Sequence, residues 1–155
     1  MIRAGDTVCP FILKVIEMNP YQSPITILGC GSYGTALAIS FSRNGSPTYL
    51  WGHNHEHIHQ MQQERQNRRF LPDIEFPESL HLELDLKTAL ERSKDILIVV
   101  PSHAFGEILL KIRPHLKPEH RLIWATKGLE RNTGRLLQEV VEETLGKDIP
   151  TAVLS

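Results

Sequence analysis

The chain has little of several things that would point to other kinds of protein. It carries only two cysteines, Cys9 and Cys30, in 155 residues. Neither stands at a metal-ligand or redox spacing, which excludes a disulfide framework and a cysteine-based zinc site. One of the two lies inside a glycine-rich turn, and this usage fits a reducing, cytoplasmic location. Charge of one sign is missing as well. Seventeen Lys and Arg face eighteen Asp and Glu, for a net charge of −1. Such a balance gives no electrostatic footprint for nucleic acid or for an anionic membrane, and neither is expected as a partner. No apolar run is long enough to span a bilayer; the longest, Ile96–Val100, has the length of a strand. The apolar stretch Val8–Leu13 is shorter than a signal-peptide core, contains Pro10 and is followed by no small-residue cleavage site. Internal repeats and low-complexity tracts are absent too. What remains, at 41% hydrophobic and 23% charged, is an ordinary globular composition of a length that suits one α/β domain with its own core.

The organising stretch is Ile25–Gly34, ITILGCGSYG. An apolar run ends in Gly29-Cys30-Gly31-Ser32-Tyr33-Gly34 and passes at once into the helix-forming string Thr35–Phe41. Strand, glycine-rich turn and helix start in this order are the grammar of a dinucleotide-binding βαβ unit. Gly29 turns the chain tightly off the strand. Gly31 lets a pyrophosphate approach the backbone, and Gly34 lets the first helix pack closely, with its N–H groups and positive dipole end facing the phosphates.

From there strands and helices alternate. Strands are expected at Ile25–Leu28, Thr48–Trp51, Asp95–Val100, Arg121–Ala125 and Thr151–Leu154. Helices are expected at Ser32–Asn44, Glu56–Gln66 capped by Asn54, a short one ending at Leu90, one from Pro101-Ser102 to Leu116, and Arg135–Leu145. Asn67–Ser79, broken by Pro72 and Pro77, is the least regular part, with short extended pieces expected to flank it. The pattern predicts an α/β, Rossmann-type doubly wound fold, a mostly parallel sheet with helices on both faces. Residues 1–24 form a leader. We expect Met18 to be the natural start, with 1–17 an extension, and 25–155 to be an NAD(P)-binding domain cut before a second domain.

Ligands of open α/β sheets sit outside the carboxyl ends of the strands, which selects Gly29–Gly34, Gly52–Asn54, Pro101–Phe105 and Thr126–Gly128. Ser32 and Tyr33 offer a hydroxyl, backbone N–H groups and an aromatic wall; the plainer alternative is a helix cap and a packing residue. Where an NAD site usually has Asp or Glu, about 20 residues past the loop, this chain has Trp51-Gly52-His53-Asn54. Without a carboxylate to repel a 2′-phosphate, NADPH is preferred and NADH tolerated. His53 either stacks on adenine, approaches the 2′-phosphate when protonated, or is a solvated turn residue. The alternating His53, His55, His57 and His59 reads as a solvated polar face, not a metal site. His103 either reaches the ligand or makes a structural hydrogen bond. Phe105 walls the cofactor or belongs to the core, and the pattern does not separate the two. Lys127, at the carboxyl end of RLIWA beside Gly128, is placed to bind an anionic substrate or to polarise a reacting oxygen.

The ordered set GCGSYGTALA, LWGHN, RRFLPDIEFPESL, ILIVVPSHAF, WATKGLE and TAVLS resembles the N-terminal domain of bacterial NAD(P)-dependent glycerol-3-phosphate dehydrogenases over Ile25–Ser155. The resemblance implies cofactor contacts at Gly29, Gly31, Ser32, Tyr33, Gly34, His53 and Phe105, with Lys127 touching both cofactor and sn-glycerol 3-phosphate. It implies interconversion of that substrate and dihydroxyacetone phosphate by hydride transfer between the substrate's C2 and the nicotinamide cofactor, for phospholipid synthesis, in a cytoplasmic homodimer. The family's general acid/base lysine and phosphate-binding Arg-Asn pair lie in a helical domain beyond Ser155, so this chain carries no catalytic residue of its own and is expected to bind nucleotide while catalysing little. Another hydroxy-acid reductase would share the glycine loop without ATKGLE, and a stand-alone NAD(P)-sensing module would share the fold without a substrate half.

Overall fold

A computed structural model describes residues 22–131 and 133–154; the expected extension 1–17 and the candidate start Met18 lie outside the described residues. The strands are β1 (Ile25–Leu28), β2 (Thr48–Trp51), β3 (Gln66–Asn67), β4 (Leu71–Glu75), β5 (Leu80–Glu83), β6 (Asp95–Ile98), β7 (Arg121–Trp124) and β8 (Thr151–Val153). The helices are α1 (Ser32–Arg43), α2 (His55–Glu64), α3 (Leu86–Glu91), α4 (Ser102–Ile112) and α5 (Leu137–Leu145), with a 3-10 turn at Arg113–His115. Six strands form one sheet in the order β5-β2-β1-β6-β7-β8, every pair parallel. The strand order reverses beside β1, between β2 and β6, where a doubly wound sheet opens its crevice.

Apolar residues fill the strands because both faces of the sheet are covered. Leu28, Trp51, Ile96, Ile98 and Trp124 join Phe105, Leu109, Ile112, Leu137 and Val141 on one face. Ile25, Ile27, Leu50, Leu80 and Leu97 join Ala38, Ile39, Ile58, Met61 and Phe76 on the other. Neighbours such as Ile27 and Leu28 thus go to opposite cores, as the two-residue period of a strand requires. One buried polar side chain is tied off inside: the Thr26 hydroxyl donates to the Ala89 carbonyl (2.8 Å) and accepts from Ser93 (2.9 Å). At the amino-terminal edge Arg121 grips Asp95, its partner in register, through two bonds of 2.6 and 2.7 Å.

Asn54 caps α2 as expected, accepting from His57 N at 2.9 Å, and Asp85 caps α3 through Thr88 N at 2.8 Å. Three expectations are corrected. The irregular stretch contains a two-stranded antiparallel ribbon, β3–β4, and is followed by the sheet's edge strand β5. Leu80 and Leu82 are buried while His81 lies outside against Tyr49, ring centroids 5.3 Å apart, a clear but very short alternation. The helix expected to reach Leu116 stops at Ile112 and tightens to 3-10 at Pro114, which has no N–H to continue it. Finally, α2 starts one residue earlier than expected, directly after its Asn54 cap, and it ends earlier because Arg65 takes a left-handed conformation (φ +52°). Its guanidinium then reaches the carbonyls of Leu80 (3.1 Å) and Pro77 (2.6 Å).

Candidate functional site

The four loops singled out in the sequence meet along the carboxyl edge of the sheet, and backbone bonds hold them there. Gly29 N donates to Trp51 O (2.9 Å), Val99 N to Leu28 O (2.8 Å) and Ala125 N to Ile98 O (2.9 Å). The Thr126 hydroxyl crosses to Val100 O at 2.8 Å and fixes the loop that carries Lys127.

The glycines divide by task. Gly29 has φ +121°, and a Cβ there would lie 2.2 Å from the Val99 carbonyl oxygen. A Cβ on Gly34 would lie 1.9 Å from the carbonyl oxygen of Gly29. Both positions are closed by the protein itself. Gly31 differs: nothing stands within 4 Å of its virtual Cβ, so its bare side faces open space. Gly31 is also the N-cap of α1, with no side-chain cap and no acidic residue in the first turn. The first N–H groups of a twelve-residue helix are therefore left to an external acceptor, and nothing nearby on the helix competes with an anion. A pyrophosphate fits this donor set. Ser32 is exposed and is not the cap, and Tyr33 is 49% exposed, so neither takes the plainer role of cap or packing residue.

His53 is exposed in the turn after β2 and lies opposite α4. There the Lys111 ammonium, bonded to Glu107 at 2.6 Å, holds that carboxyl below its usual range, and His53 adds to the pull. His103 is exposed and finds no hydrogen-bond partner among the described residues. Lys127 is exposed and unpaired among the described residues. It borders a groove of about 480 Å³ with Trp124, Thr126, Gly128 and Leu136. A concavity of similar size, about 460 Å³, lies between Pro24, Arg92, Asp95 and Arg121. That one is at the amino-terminal ends of the strands, away from the glycine loop.

Two of the side chains singled out in the sequence are buried. Phe105 is fully buried, edge-on to Trp124 with centroids 5.9 Å apart, so of its two readings the core one describes its place. His57 is not part of a solvated face. It is 8% exposed, with Nδ1 3.7 Å from the Cys30 sulfur and Nε2 3.1 Å from Asn67 Oδ1. The i,i+4 spacing of His57 and Met61 was the available signal for its burial. His53, His55 and His59 are exposed, and no group of three or more His, Cys, Asp or Glu is placed to hold a metal among the described residues. Burial pushes the Cys30 thiol up, against a smaller opposite pull from a backbone hydrogen bond and from Arg69. Arg69 and Asn67, on the ribbon that the sequence left irregular, were missed altogether. Arg69 lies over the Phe70 ring, 5.0 Å from its centroid, and has no carboxylate partner among the described residues. No helix among the described residues is long and apolar enough to cross a membrane.

A parallel doubly wound sheet, a glycine loop opening onto an uncapped helix and a cleft at the strand-order reversal define a dinucleotide-binding domain of the Rossmann type. Residues 24–155 match the family model for the NAD-dependent glycerol-3-phosphate dehydrogenase N-terminus, and the chain belongs to that family. It is 78% identical over 134 residues to a glycerol-3-phosphate dehydrogenase [NAD(P)+] of Haemophilus influenzae, a match that covers 86% of this chain and 40% of the relative. The protein of the same name from Pasteurella multocida is 68% identical over 133 residues, with the same shares covered. The crystal structure of glycerol-3-phosphate dehydrogenase from Coxiella burnetii superposes with a TM-score of 0.81 at 47% identity, over 86% of this chain and 41% of that one. The chain thus spans about 40% of the length of the curated relatives it matches.

Proposed function

We propose that this chain is the cofactor-holding part of an enzyme that interconverts dihydroxyacetone phosphate and sn-glycerol 3-phosphate. When bound, the dinucleotide exchanges a hydride with the substrate's C2. The chain's own residues bind and orient it. Gly29, Gly31 and Gly34 shape the turn, and the first N–H groups of α1, with Ser32 and Tyr33, hold the pyrophosphate. His53 lies along the adenosine. Phe105 acts from behind, through its packing on Trp124. Lys127 supplies a positive charge to the cofactor and to the phosphate-bearing substrate. The observation that carries this reading is the uncapped, acid-free start of α1 beneath the open side of Gly31.

For the cofactor we favour NADPH, with NADH accepted. No carboxylate stands at Trp51–Asn54 to repel a 2′-phosphate, and the nearby ribbon carries the unpaired guanidinium of Arg69. A cytoplasmic homodimer serving phospholipid synthesis is the setting that the family suggests. Fluorescence titration with both nucleotides tests the preference. NADPH is expected to bind more tightly, and His53→Ala to narrow the gap. Tighter binding of NADH by the unaltered protein would overturn it.

A further inference from the structure

We propose that Asn67 is a positioning residue for the dinucleotide, a buried latch that fixes which way one peptide of the glycine loop faces. The proposal rests on the reading of that loop as the pyrophosphate site. Asn67 is completely buried, and its amide is satisfied by four separate segments of the chain. Its Nδ2 donates to the Cys30 carbonyl (3.0 Å), inside the glycine loop, and to Thr35 Oγ1 (2.8 Å), in the first turn of α1. Its Oδ1 meets His57 Nε2 (3.1 Å), from α2, and accepts from Phe70 N (3.3 Å), at the tip of the ribbon. The Thr35 hydroxyl donates more weakly to the same Cys30 carbonyl at 3.4 Å.

The consequence follows from peptide geometry. In a trans peptide the C=O and the next residue's N–H point in opposite directions. Two donors below the loop hold the Cys30 C=O inward, so the Gly31 N–H points away from them, at a residue whose own Cβ would meet no protein atom within 4 Å. Gly31 has no Cβ to resist rotation of this peptide. Were it to flip, a carbonyl oxygen would face the anion in place of a donor. The latch therefore keeps the cradle a donor, and it acts through Cys30 and Thr35 without touching the ligand.

Near-isosteric substitutions separate positioning from plain stability. Asn67→Asp keeps the shape and both Oδ1 contacts but sets an oxygen against the Cys30 carbonyl. It also adds an ionisable carboxyl that repels an anion by itself, so the uncharged pair Thr35→Val and Thr35→Ser is decisive. Thr35→Val removes one acceptor and one donor, and Thr35→Ser restores them. Thr26→Val breaks a buried bond of the same kind, to Ala89, on the opposite face of the sheet. In equilibrium titrations with NADPH below the melting temperature, Asn67→Asp is expected to raise Kd about tenfold or more and Thr35→Val about fivefold. Thr35→Ser and Thr26→Val should stay within about twofold, although Thr26→Val melts earlier. If Asn67→Asp does not fold, the Thr35→Val and Thr35→Ser pair decides alone. Unchanged Kd in Thr35→Val, beside normal binding by the unaltered protein, would overturn the latch and leave the loop's assignment standing. An equal rise in Thr26→Val would overturn it too, by showing general loosening. Absence of saturable binding by the unaltered protein would instead remove the reading of the loop itself.

Discussion

Gly29→Ala is expected to cost about 3 kcal/mol of stability and to abolish dinucleotide binding. Two effects act together at this position. The backbone sits at φ +121°, where an L side chain is strained, and the new methyl would lie 2.2 Å from the Val99 carbonyl oxygen. That oxygen is backbone on the strand-to-loop junction of β6 and cannot swing aside as a flexible side chain would. The relief open to the chain is to push the glycine loop away from β6. This breaks the Gly29 N to Trp51 O bond and tilts the start of α1, whose Gly34 is itself fitted against the Gly29 carbonyl. Since a domain of this size is stable by about 5–15 kcal/mol, a large share of the folding free energy is lost. Chemical denaturation of the variant measures the first effect and NADPH titration the second. A variant within about 0.5 kcal/mol of the unaltered protein would show that the loop tolerates displacement and that its shape is not set by β6.

Phe105→Ala is expected to cost about 3–5 kcal/mol of stability. The ring has no exposed surface and stands edge-on to Trp124, on the face where α4 and α5 cover β6 and β7. Its removal leaves a cavity between parts that cannot all close in. The same position decides between the two roles considered for this residue. Phe105→Leu retains most of the volume, and if the ring is core, NADPH affinity should change by less than about twofold while the melting temperature falls slightly. A large loss of affinity at nearly unchanged stability would return Phe105 to the cofactor's wall.

How far the chain could be read before its fold was known varied with the range of the interactions involved. The strands β1, β2, β6 and β7 and the helices between them follow from runs such as ITIL and DILI, whose continuous apolar character states that both faces are covered. The loops at their carboxyl ends follow from topology alone, and Lys127 could be placed by the strand before it. The strand β5 could be expected only as an extended piece without bounds, because LHLE shows two apolar positions between polar ones, too few to mark a period, and follows two prolines. Asn67 escaped for a stronger reason. Its contacts with Cys30 and Thr35 span 37 and 32 positions, and within Gln-Asn-Arg-Arg it resembles any solvated loop residue. His57 was hidden among four alternating histidines whose pattern suggested uniform exposure, though helical spacing turns only some of them outward. The misread residues are those whose role depends on partners distant in the chain.

The central claim is that the open side of Gly31 receives the dinucleotide's pyrophosphate. Gly31 has φ −71° and ψ −175°, an extended conformation that alanine adopts freely, and a Cβ there meets no protein atom within 4 Å. Gly31→Ala should therefore leave stability within about 0.5 kcal/mol of the unaltered protein, since the fold does not use the space that the methyl fills. The ligand does use it. Titrating the unaltered protein and Gly31→Ala with NADPH side by side, we expect saturable binding by the first and affinity weaker by about tenfold or more in the second, with matching melting curves in the absence of nucleotide. Equal affinities in the two proteins, or no saturable binding by the unaltered one, would contradict the assignment.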